Sequence, residues 1–201
     1  PHGAEADRLV VSAHAEGSDP SSGTGTRLFL VDPTAAGVTR EGHRTLDGGR
    51  AARITFDGTP AVPLGEGGEA TGVIRTVLDT ARVIAGNQAV GAMEVALQST
   101  SEYLTSRKQF GVPLNTFQAL TFRAADCYVD LELARSMVAW ATMVLAEAPE
   151  QLHEAATRAG LQVSRSGRHI GQEAIQLHGG IGMTAEYAIG AYAAHLALLE
   201  Q

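Results

Sequence analysis

The sequence predicts an α+β chain in two parts, a β-rich stretch over residues 1–66 and an antiparallel four-helix bundle over residues 67–201. Three observations predict it. Up to about residue 66, short apolar or alternating runs are separated by Gly/Pro/Ser/Asp clusters. From about residue 69 the apolar residues recur every three or four positions, with no proline before Pro113. The composition, rich in Ala and Gly with only 5% aromatic residues, suits helices that approach closely.

In the first part Leu9–Ala13, Arg27–Val31 and Arg53–Phe56 read as strands. Residues 17–25 are a loop by composition, and the strand Thr26–Val31 is closed by a turn at Asp32-Pro33. Val62-Pro63-Leu64-Gly65 followed by Glu66-Gly67-Gly68 reads as a linker into the helical part.

In the second part Val73, Val77, Ala81, Ile84, Ala85 and Gln88 share one helical face. The first helix is expected over about 69–106, roughly 55 Å at about 1.5 Å per residue. Gly86 and Gly91 weaken it by about 1 kcal/mol each relative to Ala, which predicts the close approach of a neighbouring helix there. Pro113 stops what precedes it, and Asn115 with Gln118 resembles a capping box opening a second helix. That helix runs through Leu120, Ala124, Cys127, Leu131, Ala134 and Val138 to about Ala148. Pro149 suits the first turn of a third helix, which reaches Leu177 and is ended by Gly179-Gly180. Thr184 is placed to cap a fourth helix extending to Leu199.

A net charge of −7 argues against a nucleic-acid partner, whose phosphates need clustered Lys and Arg. No apolar run is long enough to span a membrane. Pro1-His2-Gly3-Ala4-Glu5 has neither a basic nor an apolar region of a signal peptide. The single Cys127 fits a reducing, cytoplasmic setting. The absence of an initial Met and the early entry into a strand lead us to expect a fragment or an atypically short subunit.

Three segments, taken together in order and spacing, resemble the acyl-CoA dehydrogenase family. The first, Ser106-Arg107-Lys108-Gln109-Phe110-Gly111-Val112-Pro113-Leu114 followed by Phe117-Gln118-Ala119, is similar to the family's R-x-x-F-G element between two long helices. The second, Gln176-Leu177-His178-Gly179-Gly180-Ile181-Gly182-Met183-Thr184 followed by Glu186-Tyr187, is similar to its Q-x-x-G-G-x-G loop. The third, Ile54-Thr55-Phe56-Asp57 with Val62-Pro63 and Gly65, is similar to the strand and linker that leave its middle β-domain. The resemblance covers nearly the whole chain. It implies that residues 1–66 are the C-terminal part of a middle β-domain and that 67–201 are the domain that contacts FAD and forms the oligomer.

The chemistry agrees with that resemblance. A pyrophosphate is met by a forked guanidinium and by backbone N–H groups that no side chain covers. The resemblance implies Arg107 and Gln109 at the FAD pyrophosphate, Phe110 near the adenine, and Gln176, Gly179 and Gly180 at the adenosine side. In the family these groups reach a flavin held mainly by a neighbouring subunit, so a dimer, and a dimer of dimers above it, is implied. Asp79 and Arg82 correspond to residues near the acyl-CoA substrate; the plainer reading is an i,i+3 ion pair on the surface. His178 reads as a satisfied structural histidine, Cys127 as core, and Trp140 and Tyr128 as packing residues.

The family reaction removes the α-hydrogen of an acyl thioester as a proton and passes the β-hydrogen as hydride to flavin N5, so a carboxylate base is needed. One family position for this Glu lies on the first long helix, where Asp79-Thr80-Ala81-Arg82 puts Ala81. The other falls just past Gln201 by the same resemblance. Glu186 and Glu200 match neither position. The resemblance also implies that the family's N-terminal helical domain and the first half of its β-domain, which hold the isoalloxazine and one wall of the acyl pocket, would lie before Pro1, so the chain alone is expected to bind FAD poorly and to be inactive. The chain is either truncated or a base-less subunit like those of actinobacterial heterotetrameric dehydrogenases acting on steroid side chains. An electron-transfer flavoprotein is the implied acceptor. The alternatives are a non-catalytic assembly subunit, a flavin monooxygenase or acyl-CoA oxidase of the same fold, and a di-iron bundle prompted by Glu150 and His153 at E-x-x-H spacing.

Overall fold

The computed structural model describes residues 2–14, 25–66 and 68–200. Most of the loop expected over 17–25 and Gly67 of the expected linker lie outside them. The chain divides into two compact units, Pro1–Val77 and Leu78–Gln201.

The first unit holds strands β1 (Leu9–His14), β2 (Thr26–Val31), β3 (Val38–Arg44), β4 (Arg50–Phe56) and β5 (Val62–Pro63). The first two and the last form an antiparallel sheet in the order β1-β2-β5, with Leu9 opposite Val31 and Phe29 opposite Pro63. Leu9 and Val31 are its buried apolar pair. The segment read as a linker is therefore partly a strand, because Val62 and Pro63 close the free edge of β2. Strands β3 and β4 form a separate ribbon, Val38 opposite Phe56 through Arg44 opposite Arg50. β3 was not expected: Val-Thr-Arg-Glu-Gly-His-Arg carries one apolar residue and shows no alternation. Its ribbon is closed by a turn in which Asp47 Oδ1 accepts from the Thr45 hydroxyl at 2.5 Å and from Gly49 N–H at 3.1 Å. Gly37 needs its φ of +79°, and a Cβ there would stand 1.9 Å from the Asp57 carbonyl oxygen.

The helices are α1 (Thr71–Ser106), α2 (Gln118–Glu147), α3 (Leu152–His178) and α4 (Ile189–Leu199). The start of α1 is set by Glu69, whose carboxylate accepts from Thr71 N–H at 2.9 Å, from the Thr71 hydroxyl and from Gly25 N–H. These bonds, the Thr71 hydroxyl foremost, hold the Glu69 carboxyl at about 2.

In the second unit α3 lies against both α2 and α4. The contact positions are mostly small: Ala89 and Ala96 from α1, Ala134 and Ala141 from α2, and Ala155 and Ala159 from α3 are buried around Met93 and Ile170. Small side chains let helix axes approach toward the lower end of the usual ~8–10 Å range. Gly86 meets the expectation of a close neighbour, since a Cβ there would lie 3.1 Å from Val138 Cγ2. Gly91 does not, having nothing within 4 Å of its Cβ position. Arg123 to Glu173 and His169 to Asp130 (2.6 Å) link α3 to α2, and Arg135 to Glu94 (3.3 Å) links α2 to α1.

Three helix ends differ from expectation. The capping box at Asn115 and Gln118 does not form: Leu114–Thr116 is a 3-10 turn, and α2 starts at Gln118 with Phe117 as its cap and no side-chain cap bond. Thr184 caps no helix; its hydroxyl donates to the Ile181 carbonyl at 2.9 Å, and α4 begins at Ile189. Pro149 opens a 3-10 turn, Pro149–Gln151, which leads into α3. Cys127 is core as expected, and burial pushes its thiol up to about 12. Trp140 is partly buried against the core, whereas Tyr128 is 58% exposed and is not a packing residue.

Candidate cofactor and substrate site

The link from α1 to α2 is a tight hairpin. β6 (Lys108–Gln109) pairs with β7 (Val112–Pro113), leaving Phe110 and Gly111 as a two-residue loop. Both have positive φ, 54° and 84°, the combination a type I′ turn requires. Phenylalanine is a costly residue at such a φ, and 92% of Phe110 is exposed, with its ring edge-on to Phe117 at 6.1 Å. A strained and uncovered aromatic at a loop tip is a sign of function. Arg107 stands at the root of this hairpin. Its backbone N–H donates to the Tyr103 carbonyl and its own carbonyl accepts from Leu114 N–H, both at 2.9 Å. Its side chain is exposed and makes no hydrogen bond or ion pair with the described residues. Gln109 is likewise exposed.

The second expected segment is the turn after α3. Gly179 ends the helix at φ 65° and ψ −141°, and its N–H donates to the Gln176 carbonyl. Side chains rarely adopt that conformation, so glycine is required there. Gly180 is required by neither its φ nor its space, since nothing lies within 4 Å of its Cβ position. Gly182 is different: a Cβ there would stand 2.7 Å from the Ile175 carbonyl oxygen. The turn is thus folded back on α3 at Gly182 and open at Gly179 and Gly180. Gln176 is exposed beside it.

The two segments are joined by a contact that the sequence did not disclose. Tyr103, one turn before Arg107, stacks on His178 with ring centroids 4.5 Å apart and planes 28° apart. Tyr187 also meets the His178 ring, with centroids 5.0 Å apart and planes tilted by 51°. His178 is 3% exposed; its Nδ1 bonds the Ala174 carbonyl at 2.7 Å, and its Nε2 is buried with no partner among the described residues. The reading of His178 as fully satisfied is therefore corrected: one nitrogen is paired and the other is not. Burial pushes its pKa down, against a smaller upward effect of the Ala174 bond.

Asp79 and Arg82 lie elsewhere, on the early part of α1. Arg82 Nη1 donates to Asp79 Oδ1 at 2.7 Å, and His153 of α3 meets Oδ2 at 2.9 Å. Asp79 is 2% exposed, so the surface ion pair of the plainer reading is corrected on the aspartate side. The E-x-x-H spacing drew attention to His153 for metal binding, yet its partner is Asp79. The signal that would have found this pairing, one helix face laid against another, is not local in sequence. Arg82 and His153 open on a groove of about 450 Å³ lined also by Gly86, Thr157, Gly160 and Leu199. Ala81 is exposed on the same helix and carries no ionisable group.

This arrangement offers an unpartnered guanidinium, an open stretch of glycine backbone and a bare aromatic face. Those are the groups a dinucleotide needs for its phosphates and its adenine, so the residues present fit FAD.

Comparison with known proteins gives one family. The family model "Acyl-CoA dehydrogenase, C-terminal domain" matches residues 70–200. The chain is similar to acyl-CoA dehydrogenase IpdE2 of Mycobacterium tuberculosis, 41% identical over 116 residues, which are 58% of this chain and 35% of that protein. It is similar to the mitochondrial short-chain specific acyl-CoA dehydrogenase of Bos taurus, 30% identical over 189 residues, 90% of this chain and 45% of that one. Among solved structures, a variant of the Tcur3481–Tcur3483 steroid ACAD superposes with a TM-score of 0.85 at 33% identity, covering 99% of this chain and 52% of that chain. The chain spans about half the length, or less, of these relatives. No helix among the described residues is long and apolar enough to cross a membrane.

Proposed function

Because the chain belongs to the acyl-CoA dehydrogenase family, we propose that it supplies the flavin-contacting, oligomer-forming part of an FAD-dependent enzyme that dehydrogenates an acyl-CoA thioester between its α and β carbons. The observation that supports this most is the Arg107–Gly111 hairpin, whose cation and aromatic ring stand uncovered and are joined through Tyr103 to the open Gly179–Gly180 turn. When bound, FAD supplies the acceptor for the hydride leaving the β carbon. Arg107 and Gln109 bind the pyrophosphate, Phe110 lies against the adenine, and Gln176 with the N–H groups of Gly179 and Gly180 meets the adenosine end. Asp79 orients Arg82 toward the thioester side of the groove, with His153 fixing the carboxylate from behind. At the family's base position on the first helix stands Ala81, whose side chain cannot accept the α-proton.

Residues 1–66 are proposed as part of the middle β-domain and 67–201 as the helical domain. An electron-transfer flavoprotein is the proposed reoxidant. Anaerobic addition of short-chain, long-chain and steroid-side-chain acyl-CoA thioesters to the FAD-loaded assembly tests the reading. Bleaching of the flavin band by at least one class is expected; no bleaching by any would refute it. Fast reoxidation by dioxygen alone would favour an oxidase or monooxygenase instead.

Ala81 together with the 33% identity to a steroid ACAD favours a second reading, a base-less subunit that needs a catalytic partner. Native mass spectrometry of the chain, alone and with FAD, separates the two by showing whether assembly requires a different chain.

A further inference from the structure

We propose that His178 is a positioning residue for the flavin nucleotide: packed against both Tyr103 and Tyr187, its neutral ring holds the Arg107 hairpin and the Gly179–Gly180 turn in register and releases both when it is protonated. This rests on the reading of those two segments as the flavin contact. The geometry supports it at three points. Tyr103 touches the ring, and its own carbonyl takes the Arg107 N–H at 2.9 Å, so the root of the hairpin is one hydrogen bond from the stack. Gly179 follows His178 directly, and a Cβ at Gly182 would meet His178 Cβ at 3.1 Å, so the turn wraps against the same residue. Tyr187, beyond the turn, closes on the ring at 5.0 Å. The imidazole therefore touches the end of α1, the end of α3 and the segment that follows.

The chemistry explains why a histidine placed here acts as a switch and not as filler. The Ala174 carbonyl can only accept, so Nδ1 carries the proton and Nε2 presents a lone pair. That lone pair is buried and meets no donor among the described residues. A buried acceptor left without a donor keeps its desolvation cost, which phenylalanine in the same space would avoid. Protonation would add a second N–H with no acceptor, and a charge taken out of water. The groups facing the ring are Tyr103 from α1, the Ala174 carbonyl from α3 and Tyr187 from the segment before α4; no charged side chain contributes to the shift, which is a net lowering caused by burial. The clamp is therefore closed above the ordinary histidine range of about 6.5. As pH falls below that toward the lower folded value, the proton is taken up only by a ring that has left the stack, and both segments loosen together.

The full chain, labelled with 13C-histidine and with 15N-glycine and 15N-arginine, is titrated by NMR from pH 8 to 4.5 without flavin. The His178 midpoint is expected below the ordinary value, with the Arg107, Gly179 and Gly180 amides moving at the same midpoint. FAD affinity of the assembled protein is then expected to fall about tenfold from pH 7.5 to one pH unit below that midpoint, while His178→Phe, which keeps the ring but cannot be protonated, shows an affinity that does not change over that range. Amides of either segment that ignore the His178 midpoint would overturn the clamp, a measurement that needs no variant to fold. A His178→Phe protein that keeps the wild-type pH dependence would also overturn it. Absence of FAD binding by the assembled protein at any pH would instead sink the flavin reading and the ligand half of this proposal, with the clamp still judged by the flavin-free titration.

Discussion

The Asp79 carboxylate, 2% exposed, is gripped from two helices, by Arg82 one turn along α1 at 2.7 Å and by His153 of α3 at 2.9 Å. A buried carboxylate with both oxygens engaged depends on its partners, because each lost bond leaves an acceptor unmet. Asp79→Ala is expected to destabilise the fold by about 1–3 kcal/mol in urea denaturation. His153→Ala is expected to cost less, about 1 kcal/mol, since its ring is mostly exposed and water can replace it. Equal and negligible losses for both would show that the cluster does not hold α3 to α1.

Arg123 and Glu173 form a forked pair between α2 and α3, Nε to Oε2 at 2.6 Å and Nη2 to Oε1 at 2.9 Å. The Arg123 bonds, opposed by a smaller effect of burial, hold the Glu173 carboxyl below its ordinary value. A carboxylate whose folded pKa is depressed stabilises fully above its unfolded pKa and loses that contribution as pH falls through the folded one. Arg123→Met is therefore expected to cost about 1 kcal/mol at pH 7. The gap from wild type should shrink below about pH 4.5, the ordinary carboxylate range. Denaturation curves at pH 7 and 3.5 check this, and a gap that widens in acid would contradict it.

Two adjacent glycines should behave differently. Gly179→Ala forces a side chain into φ 65° and is expected to lower stability by about 1 kcal/mol or more. Gly180→Ala meets open space and should leave thermal stability unchanged, yet weaken FAD binding by covering the backbone that the ligand approaches. Thermal melts and FAD titrations on both variants separate the two roles.

Phe110 holds a left-handed φ of 54° with 92% of its surface exposed. Asparagine tolerates that conformation better, so Phe110→Asn should stabilise the hairpin by about 1 kcal/mol. The same change removes the aromatic face and is expected to weaken FAD binding. A gain in stability with no loss of affinity would remove Phe110 from the flavin contact.

The passage from strands to helices was legible because it rests on local period: the change from strand-like to helical spacing lies near residue 69, and α1 starts at Thr71 and ends at Ser106. The four helices followed from the same signal. β3 was not legible because its residues are polar on both faces and its pairing with β4 is made by the backbone. The caps at Asn115 and Thr184 were misread because a 3-10 turn took each threonine or asparagine before the helix began. Arg107, Phe110 and the glycines were singled out by motif; Tyr103 was not, and His153 was singled out for a metal and not for its bond to Asp79. Their partners come from distant parts of the chain, and nothing in a run of neighbours marks a ring stacked across two helices.

FAD affinity of Arg107 variants in the assembled protein tests the central claim most directly. Charge-assisted bonds from the guanidinium are expected to contribute about 1.5–3 kcal/mol, so Arg107→Ala should weaken FAD binding roughly 10- to 100-fold at unchanged thermal stability. Arg107→Lys, which keeps the charge and loses the fork, should fall between. Flavin fluorescence titrations in which Arg107→Ala binds FAD as tightly as wild type would contradict the account.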